Sequence, residues 1–396
     1  MRTLRPLTAD ELPGFLTRTT QAFTGIPPPA EAVAARAPSI ELDRTLAAFE
    51  DGLLVGGARA ESMTLTVPGG RVAACGIAGI AVVPTHRRRG ILTDLMRRQL
   101  ADVRERGEPA AALFTSEGPI YGRYGFGVAT HEADVRVARH RGAFREPADL
   151  AGLRQAGFTE AVDEMLAIVD RVVPGLPGAV RRPDAWWRYA AASPPPDGIP
   201  WEAVLRAEGD GFVVYERHLD RSIPSLEGGS LRVNWLFAET PAAYAALWRH
   251  CLDVDLMDEV RSRHRSVDEP LRHVLADPRA LESTVWDGLW LRLVDVEAAL
   301  GARTYAPGEP LRLAVEDAFC PWNDGTYEVG EGARGRVAAD PDLRLAADAL
   351  AACFLGGNRF TTLALAGRVE ELRPGAAERA DRLFAAPRPP WCPFHF

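Results

Sequence analysis

From Thr45 to Val83 short runs of apolar-rich residues are punctuated by turn formers, which predicts a strand meander. One apolar stretch ends at Phe49, Asp51-Gly52 turns the chain, Leu53 to Val67 follows, and Pro68-Gly69-Gly70 leads into Arg71 to Val83. The period then changes. Ile91, Leu92, Leu95, Met96, Leu100 and Val103 recur at helical spacing, Arg97, Arg98, Asp102, Arg104 and Glu105 take the opposite face, and Gly107 stops the run. Ala110 to Thr115 is a short buried strand, so the order strand, helix, strand predicts a right-handed crossover onto a mixed sheet. Glu132 to Arg139 is the next strand-like segment, and polar residues 141–150 mark a boundary.

Beyond that boundary the plan repeats, with strands Ala203 to Ala207, Phe212 to Tyr215 and Leu231 to Ala238, then a helix from Pro241 to Cys251. Here Thr240 and Pro241 form an ordinary helix start, with no cluster of arginine and glycine. The pattern reads as an internal duplication whose second copy lacks a ligand loop. A third unit opens with the alternating Gly288 to Val296 and a helix Glu297 to Gly301. Strands Leu311 to Val315, Gly325 to Val329 and Gly335 to Ala338 come next, and helices are expected at Asp342 to Phe354, Thr362 to Ala366 and Ala376 to Phe384. The expected units are therefore 1–146, 147–286 and 287–396. The last residues, Pro389 to Phe396, are mostly aromatic and apolar, which predicts a docked tail.

Composition narrows the chemistry. A chain of 396 residues suits two or three domains at ~150 residues each. With 47% hydrophobic and 25% charged residues, it has a globular composition, neither disordered nor fibrous. The longest apolar run, Cys75 to Val83, is about half a membrane span, and Met1 to Phe15 has no continuous apolar core. A cytoplasmic protein without a membrane partner is expected. All 46 basic side chains are arginine; the sequence contains no lysine. Schiff-base and pyridoxal chemistry and the lysine-dependent P-loop are thereby excluded. A net charge of -8 argues against nucleic acid and suits a cationic substrate. Five widely spaced cysteines form no C-x-x-C pair and read as buried thiols. No histidine and cysteine spacing resembles a zinc site, and the acids Asp253, Asp255, Asp258 and Glu259 lack the EF-hand glycine, so no metal is expected. Trp186-Trp187 reads as core or interface.

The most informative segment is Gly79-Ile80-Ala81-Val82-Val83-Pro84-Thr85-His86-Arg87-Arg88-Arg89-Gly90-Ile91-Leu92, where a strand enters a helix through three arginines and a glycine. Unpaired amides, the helix dipole and nearby guanidiniums make such a junction a phosphate cradle. It resembles the acetyl-CoA loop of the GCN5-related N-acetyltransferase (GNAT) superfamily, with Arg87, Gly90 and Leu92 on the pattern positions. Ser116-Glu117-Gly118-Pro119-Ile120-Tyr121-Gly122-Arg123-Tyr124-Gly125-Phe126-Gly127 resembles the tyrosine segment of that superfamily. Together these motifs look like the enhanced intracellular survival (Eis) family of actinobacterial acetyltransferases, and the resemblance covers the whole chain.

That resemblance implies an α+β protein: two tandem GNAT-like mixed-sheet domains, the second without a cofactor site, and a sterol-carrier-protein-like C-terminal domain. It further implies a homo-oligomer, specifically a hexamer, and acetyl transfer from acetyl-CoA to a primary amine of aminoglycoside-like, polyamine-like or lysine type. Ile80, Val82 and Val83 are expected to make backbone contacts with the cofactor. Arg87, Arg88, Gly90, Ile91 and Leu92 are expected at its phosphates, and Ser116 beside it. Tyr121 is the expected general acid, and the α-carboxylate of Phe396 the base. An α-carboxyl with a reference pKa near ~3.5 is a weak base in water. His395 stands where the family commonly has a substrate-binding acid, and Glu31 is a further candidate at the substrate. His86 lies on the phosphate loop rather than at a base position. The alternative is a non-catalytic acyl-CoA- or lipid-binding protein, against which Tyr121 and Phe396 together argue.

Overall fold

The computed structural model describes residues 2–192, 198–219, 228–332 and 335–396, and its strands form three sheets. In the first, the order is Arg2–Pro6, Leu46–Glu50, Leu53–Val67, Gly70–Val82, Ala110–Leu113, Trp290–Leu293 and Gly127–Val128, with Val180–Arg181 paired to Leu53–Val67. The meander forms because Gly69, at φ +76°, allows a tight reversal between two long alternating runs. The helix Ile91–Glu105 packs on this sheet through Ile91, Leu95, Met96, Leu100 and Val103, five of the six positions expected from its period.

The second sheet has the order Leu281–Asp287, His131–Ala138, Met257–Arg265, Gly229–Ala238, Gly211–His218, Glu202–Arg206 and Leu153–Gly157. Helices Phe158–Val172 and Pro241–Asp253 pack on it. The third sheet contains Gly335–Val337, Gly325–Val329, Leu311–Glu316, Leu343–Ala346 and Val369–Glu371. The expected helix from Asp342 begins instead as a strand. Leu343 and Leu345 alternate with Arg344 and pair parallel to Leu313–Glu316, and the helix proper is Ala347–Cys353. A short alternating run took the edge open to it, which helix propensity did not reveal.

Sheet membership crosses the limits expected at 146/147 and 286/287. His131–Ala138 lies inside the second sheet, between Met257–Arg265 and Leu281–Asp287. Trp290–Leu293 lies inside the first, between Ala110–Leu113 and Gly127–Val128. Alternation identified both as strands, but a strand does not encode which sheet offers it partners.

The tail is docked as its composition predicts. Phe394 is 1% exposed and packs edge-on to Trp187 at 5.1 Å and stacked with Phe237 at 5.4 Å. The Trp391 indole N–H donates to the His264 carbonyl at 2.7 Å.

Candidate functional site: a strand gap, an uncapped helix and the chain terminus

The strands Gly70–Val82 and Ala110–Leu113 run parallel only where Ala74, Cys75 and Gly76 face Ala110, Ala111 and Ala112. Beyond Gly76 they part, and Ala110–Leu113 continues against Trp290–Leu293. On the other edge the register with Leu53–Val67 shifts: Gly57 faces Ala81 while Arg59 faces Ala78. Gly79 and Ile80 thus oppose Ala58 alone, and Gly79 sits at φ +57°, a bulge that glycine relieves. The consequence is a wedge. Main-chain groups on its Gly70–Val82 side have no strand partner past Gly76 among the described residues, so an extended ligand can complete them.

At the end of this strand a turn, Pro84–His86, leads through Arg88 at φ +61° to Gly90 at φ +82°. Gly90 caps the helix without a side-chain hydrogen bond, so amides of its first turn remain for an anion. Gly90 is exposed, and a Cβ built there would meet nothing within 4 Å; its conformation rather than crowding favours glycine. Arg87 braces the loop, donating to the Val82 carbonyl at 3.1 Å and the Ala22 carbonyl at 3.2 Å. Arg88 is exposed and makes no ion pair among the described residues. Ile80, Val82, Val83 and Leu92 are half-buried around the junction, and Ile91 is buried beneath it. His86 faces Glu50 at 3.4 Å.

Tyr121 is 9% exposed and clusters with Cys75, Ile77, Met96 and Leu113, beside the place where the strands part. Burial pushes its phenol up to about 12, with Tyr124 and Glu117 adding to the effect. The hydroxyl therefore keeps its proton at neutral pH and is a donor.

The terminal ring of Phe396 meets Phe114 edge-on at 5.2 Å. A Cβ on Gly76 would lie 3.0 Å from that ring, so the last residue lies against the last paired position of the strand. His395 stacks on Phe114 at 3.8 Å between ring centroids. It also lines a cavity of about 440 Å³ shared with Phe23, Thr115, Ser116, Asp134, Arg263, Trp286 and Asp287. Within that cavity the Glu132 carboxylate faces His264 Nδ1 at 2.7 Å and His395 Nε2 at 2.8 Å. Burial works to raise the Glu132 carboxyl, but the hydrogen bonds and charges of His264 and His395 prevail and hold it down at about 2. Three carboxylates, Glu132, Asp134 and Asp287, thus face the cavity with a single arginine, Arg263, which lies 3.6 Å from Asp134.

Of the two residues expected at a substrate, His395 lines this cavity, whereas Glu31 is exposed on Ala30–Arg36 and does not; Ser116, expected beside the cofactor, also lines it. Glu132, Asp134, His264 and Asp287 were not anticipated from sequence. They come from three strands of the second sheet, and no spacing links them. The only local sign, visible after folding, is His264 at φ +56°, inside a register shift between Ser262 and Arg265. The acids Asp253, Asp255 and Glu259 pair instead with Arg249, Arg139 and Arg136. Trp187 is part of the tail clamp.

Comparison with known proteins agrees with this geometry. Residues 3–129 match an acetyltransferase (GNAT) domain family, residues 178–293 a second such family, and residues 296–393 a sterol carrier protein domain. The chain is 33% identical to the N-acetyltransferase Eis of Mycobacterium bovis BCG, covering 100% of this chain and 99% of that one. It is 42% identical to an N-acetyltransferase of Streptomyces avermitilis over 90% of each. The crystal structure of Eis1 from Mycobacterium abscessus superposes with a TM-score of 0.90 at 37% identity over the full length of both chains. A wedge between parting strands, an uncapped helix start and a tyrosine beside them thus occur in a full-length relative of Eis, and the chain belongs to the Eis family of GNAT N-acetyltransferases.

Proposed function

We propose that the protein transfers acetyl from acetyl-CoA to a primary amine by direct attack within a ternary complex. The observation that carries this reading is the wedge that opens beyond Gly76, with an uncapped helix start at its far end and the chain terminus at its near end. Backbone groups of Ile80, Val82 and Val83 extend the ladder to the pantetheine arm. Amides at Gly90, Ile91 and Leu92 bind the pyrophosphate, and the guanidiniums of Arg87 and Arg88 supply the countercharge. Ser116 lies on the acetyl side.

Asp134 and Asp287 on the cavity wall receive the amine as a cation, and two separate carboxylates favour a substrate with more than one ammonium group, of polyamine-like or aminoglycoside-like type. A lysine side chain is the third member of the class. The Phe396 carboxylate takes a proton from the bound ammonium and so frees the lone pair for attack, and Tyr121 gives a proton to the departing thiolate and regains the one the acylated nitrogen sheds. His395 holds the substrate through its position on the cavity wall. Family membership makes an enzyme of the protein and sets aside the non-catalytic acyl-CoA- or lipid-binding alternative. We further propose that it works in the cytoplasm as a hexamer. Supporting an assembly, Val285 and Trp286 are 57% and 54% exposed on the edge strand Leu281–Asp287.

The test is thiol release from acetyl-CoA across a panel of mono-, di- and polyamines, with Tyr121→Ala and a chain ending at His395 as controls. Since the sequence has no lysine, lysine self-acetylation contributes no background. Activity highest with polycations and lost in both controls is expected. Full activity in either control removes that residue from the mechanism. Light scattering in solution reads the oligomer.

A further inference from the structure

Glu132, His264 and His395 come from separate parts of the chain, yet one ligand atom from each lies within 4.8 Å of the others. Both carboxylate oxygens are engaged, one by each imidazole, at 2.7 and 2.8 Å. The two rings lie 3.7 Å apart between centroids. Glu132 is buried, with its side chain 7% exposed, whereas the side chains of His264 and His395 are 35% and 36% exposed and open on the cavity. Each histidine is also held from behind. The His264 carbonyl accepts from the Trp391 indole at 2.7 Å, and the His395 carbonyl accepts from Arg182 at 3.3 Å. The left-handed backbone of His264, within a register shift, turns this side chain out of the strand's ordinary alternation.

We propose that these three residues form a divalent transition-metal site of the zinc type inside the amine cavity, and that an ion there inhibits acetyl transfer. Two imidazoles and one carboxylate are a borderline-soft donor set that zinc accepts with a fourth position open to solvent. Ligand atoms about 2.0–2.1 Å from zinc stand roughly 3.4 Å apart in a tetrahedron, whereas the imidazole nitrogens here meet different oxygens of Glu132 and the ligand atoms lie within 4.8 Å of one another, so side-chain shifts on the order of an ångström gather them around one ion. Each histidine ligates as a neutral imidazole: the proton on its ligating nitrogen moves to the other ring nitrogen, and any second proton leaves to solvent as the ion enters. Inhibition follows from two properties of the bound ion. Its charge repels an ammonium group, and a substrate amine that coordinates it commits the lone pair needed for attack on the thioester.

Binding is independent of the proposed acetyl transfer, whereas inhibition rests on that reading, and the two are measured separately. Chelator-treated, tag-free full-length protein is titrated with zinc by calorimetry and with cobalt(II) by visible absorption. One ion per chain in the micromolar range is expected, with at least a tenfold loss in His264→Ala and in His395→Ala. X-ray absorption on the wild-type zinc complex provides a result even if either variant fails to fold, with an imidazole and oxygen shell and no sulfur expected. No saturable binding near millimolar zinc, undiminished binding in folded variants, or a sulfur shell overturns the site. With binding established, zinc inhibition that is competitive against the amine and not against acetyl-CoA is expected; full turnover with zinc bound overturns the inhibitory role and leaves the site standing.

Discussion

The two strand-to-helix junctions of this chain differ in how their open ends are completed. In the first, Gly70–Val82 leaves its parallel partner after three pairs, and the following helix starts at Gly90 with no side-chain cap. In the second, Gly229–Ala238 pairs in parallel with Met257–Arg265 only as far as Val233 and Ser262, and carries a bulge opposite Val214 and Tyr215. There the chain supplies its own filling. Arg265 donates to the Leu236 carbonyl at 3.2 Å, and the tail packs Phe394 and Trp391 against Phe237. Thr240 accepts from the Ala243 amide at 3.1 Å, closing the helix start that the first junction leaves open. The same supersecondary plan thus leaves backbone groups open to a ligand at one junction and satisfies them internally at the other.

That contrast can be broken most forcefully at the tail. Phe394→Ala removes the aromatic plug of the second junction and, with it, the anchor of Phe396. A loss of about 3–5 kcal/mol in denaturant unfolding is expected, with acetyl transfer falling in parallel. Retained stability shows that the tail only rests on the second domain. The next largest effect tests the first junction. Gly90→Asp puts an anion at this helix start and a side chain on a left-handed backbone, and is expected to weaken acetyl-CoA by roughly 100-fold, about 2.7 kcal/mol, while circular dichroism stays unchanged. Unaltered affinity places the phosphates elsewhere.

A smaller effect concerns the seam between the two sheets. The Glu132 carboxyl is held at about 2 against an ordinary value of 4.5, so the folded state favours its charged form. Its contribution to stability is present above about 4.5 and is lost as pH falls toward 2. Urea midpoints measured down this range are expected to drop more steeply for wild type than for Glu132→Gln; parallel curves remove the linkage. The smallest effect is at the closed junction. Thr240→Ala is expected to cost about 1 kcal/mol of stability and leave turnover unchanged, since that helix start lies outside the proposed cofactor wedge.

The residues proposed for the cofactor and the thiolate were the most legible part of the sequence, because they lie in two short contiguous segments. Gly79, Gly90 and Tyr121 lie within segments whose turn and helix signals are contiguous, and the structure places them around a single wedge. Of the residues lining the proposed amine cavity, His395 and Ser116 were named from sequence. Glu132, His264 and Asp287 are separated by more than a hundred residues or lie on different strands, and each by itself is an ordinary polar position of an alternating strand. Glu31, proposed as a substitute for an acid absent from Phe23 to Pro29, stays exposed on its helix.

The sequence by itself determined the strand meander from Thr45 to Val83, the helices that begin after Gly90 and Thr240, which of those two helix starts lacks a cap, and that the aromatic tail must be covered. These follow from near-neighbour periodicity, backbone conformation and the cost of exposing apolar rings. Only the tertiary structure decided that His131–Ala138 and Trp290–Leu293 are exchanged between sheets, and that the tail threads the second domain to bring His395 against Glu132 and Phe396 against Gly76. Strand partners and buried ion contacts are chosen by whatever edge or unpaired charge lies within reach after collapse, and neither leaves a mark in residue spacing.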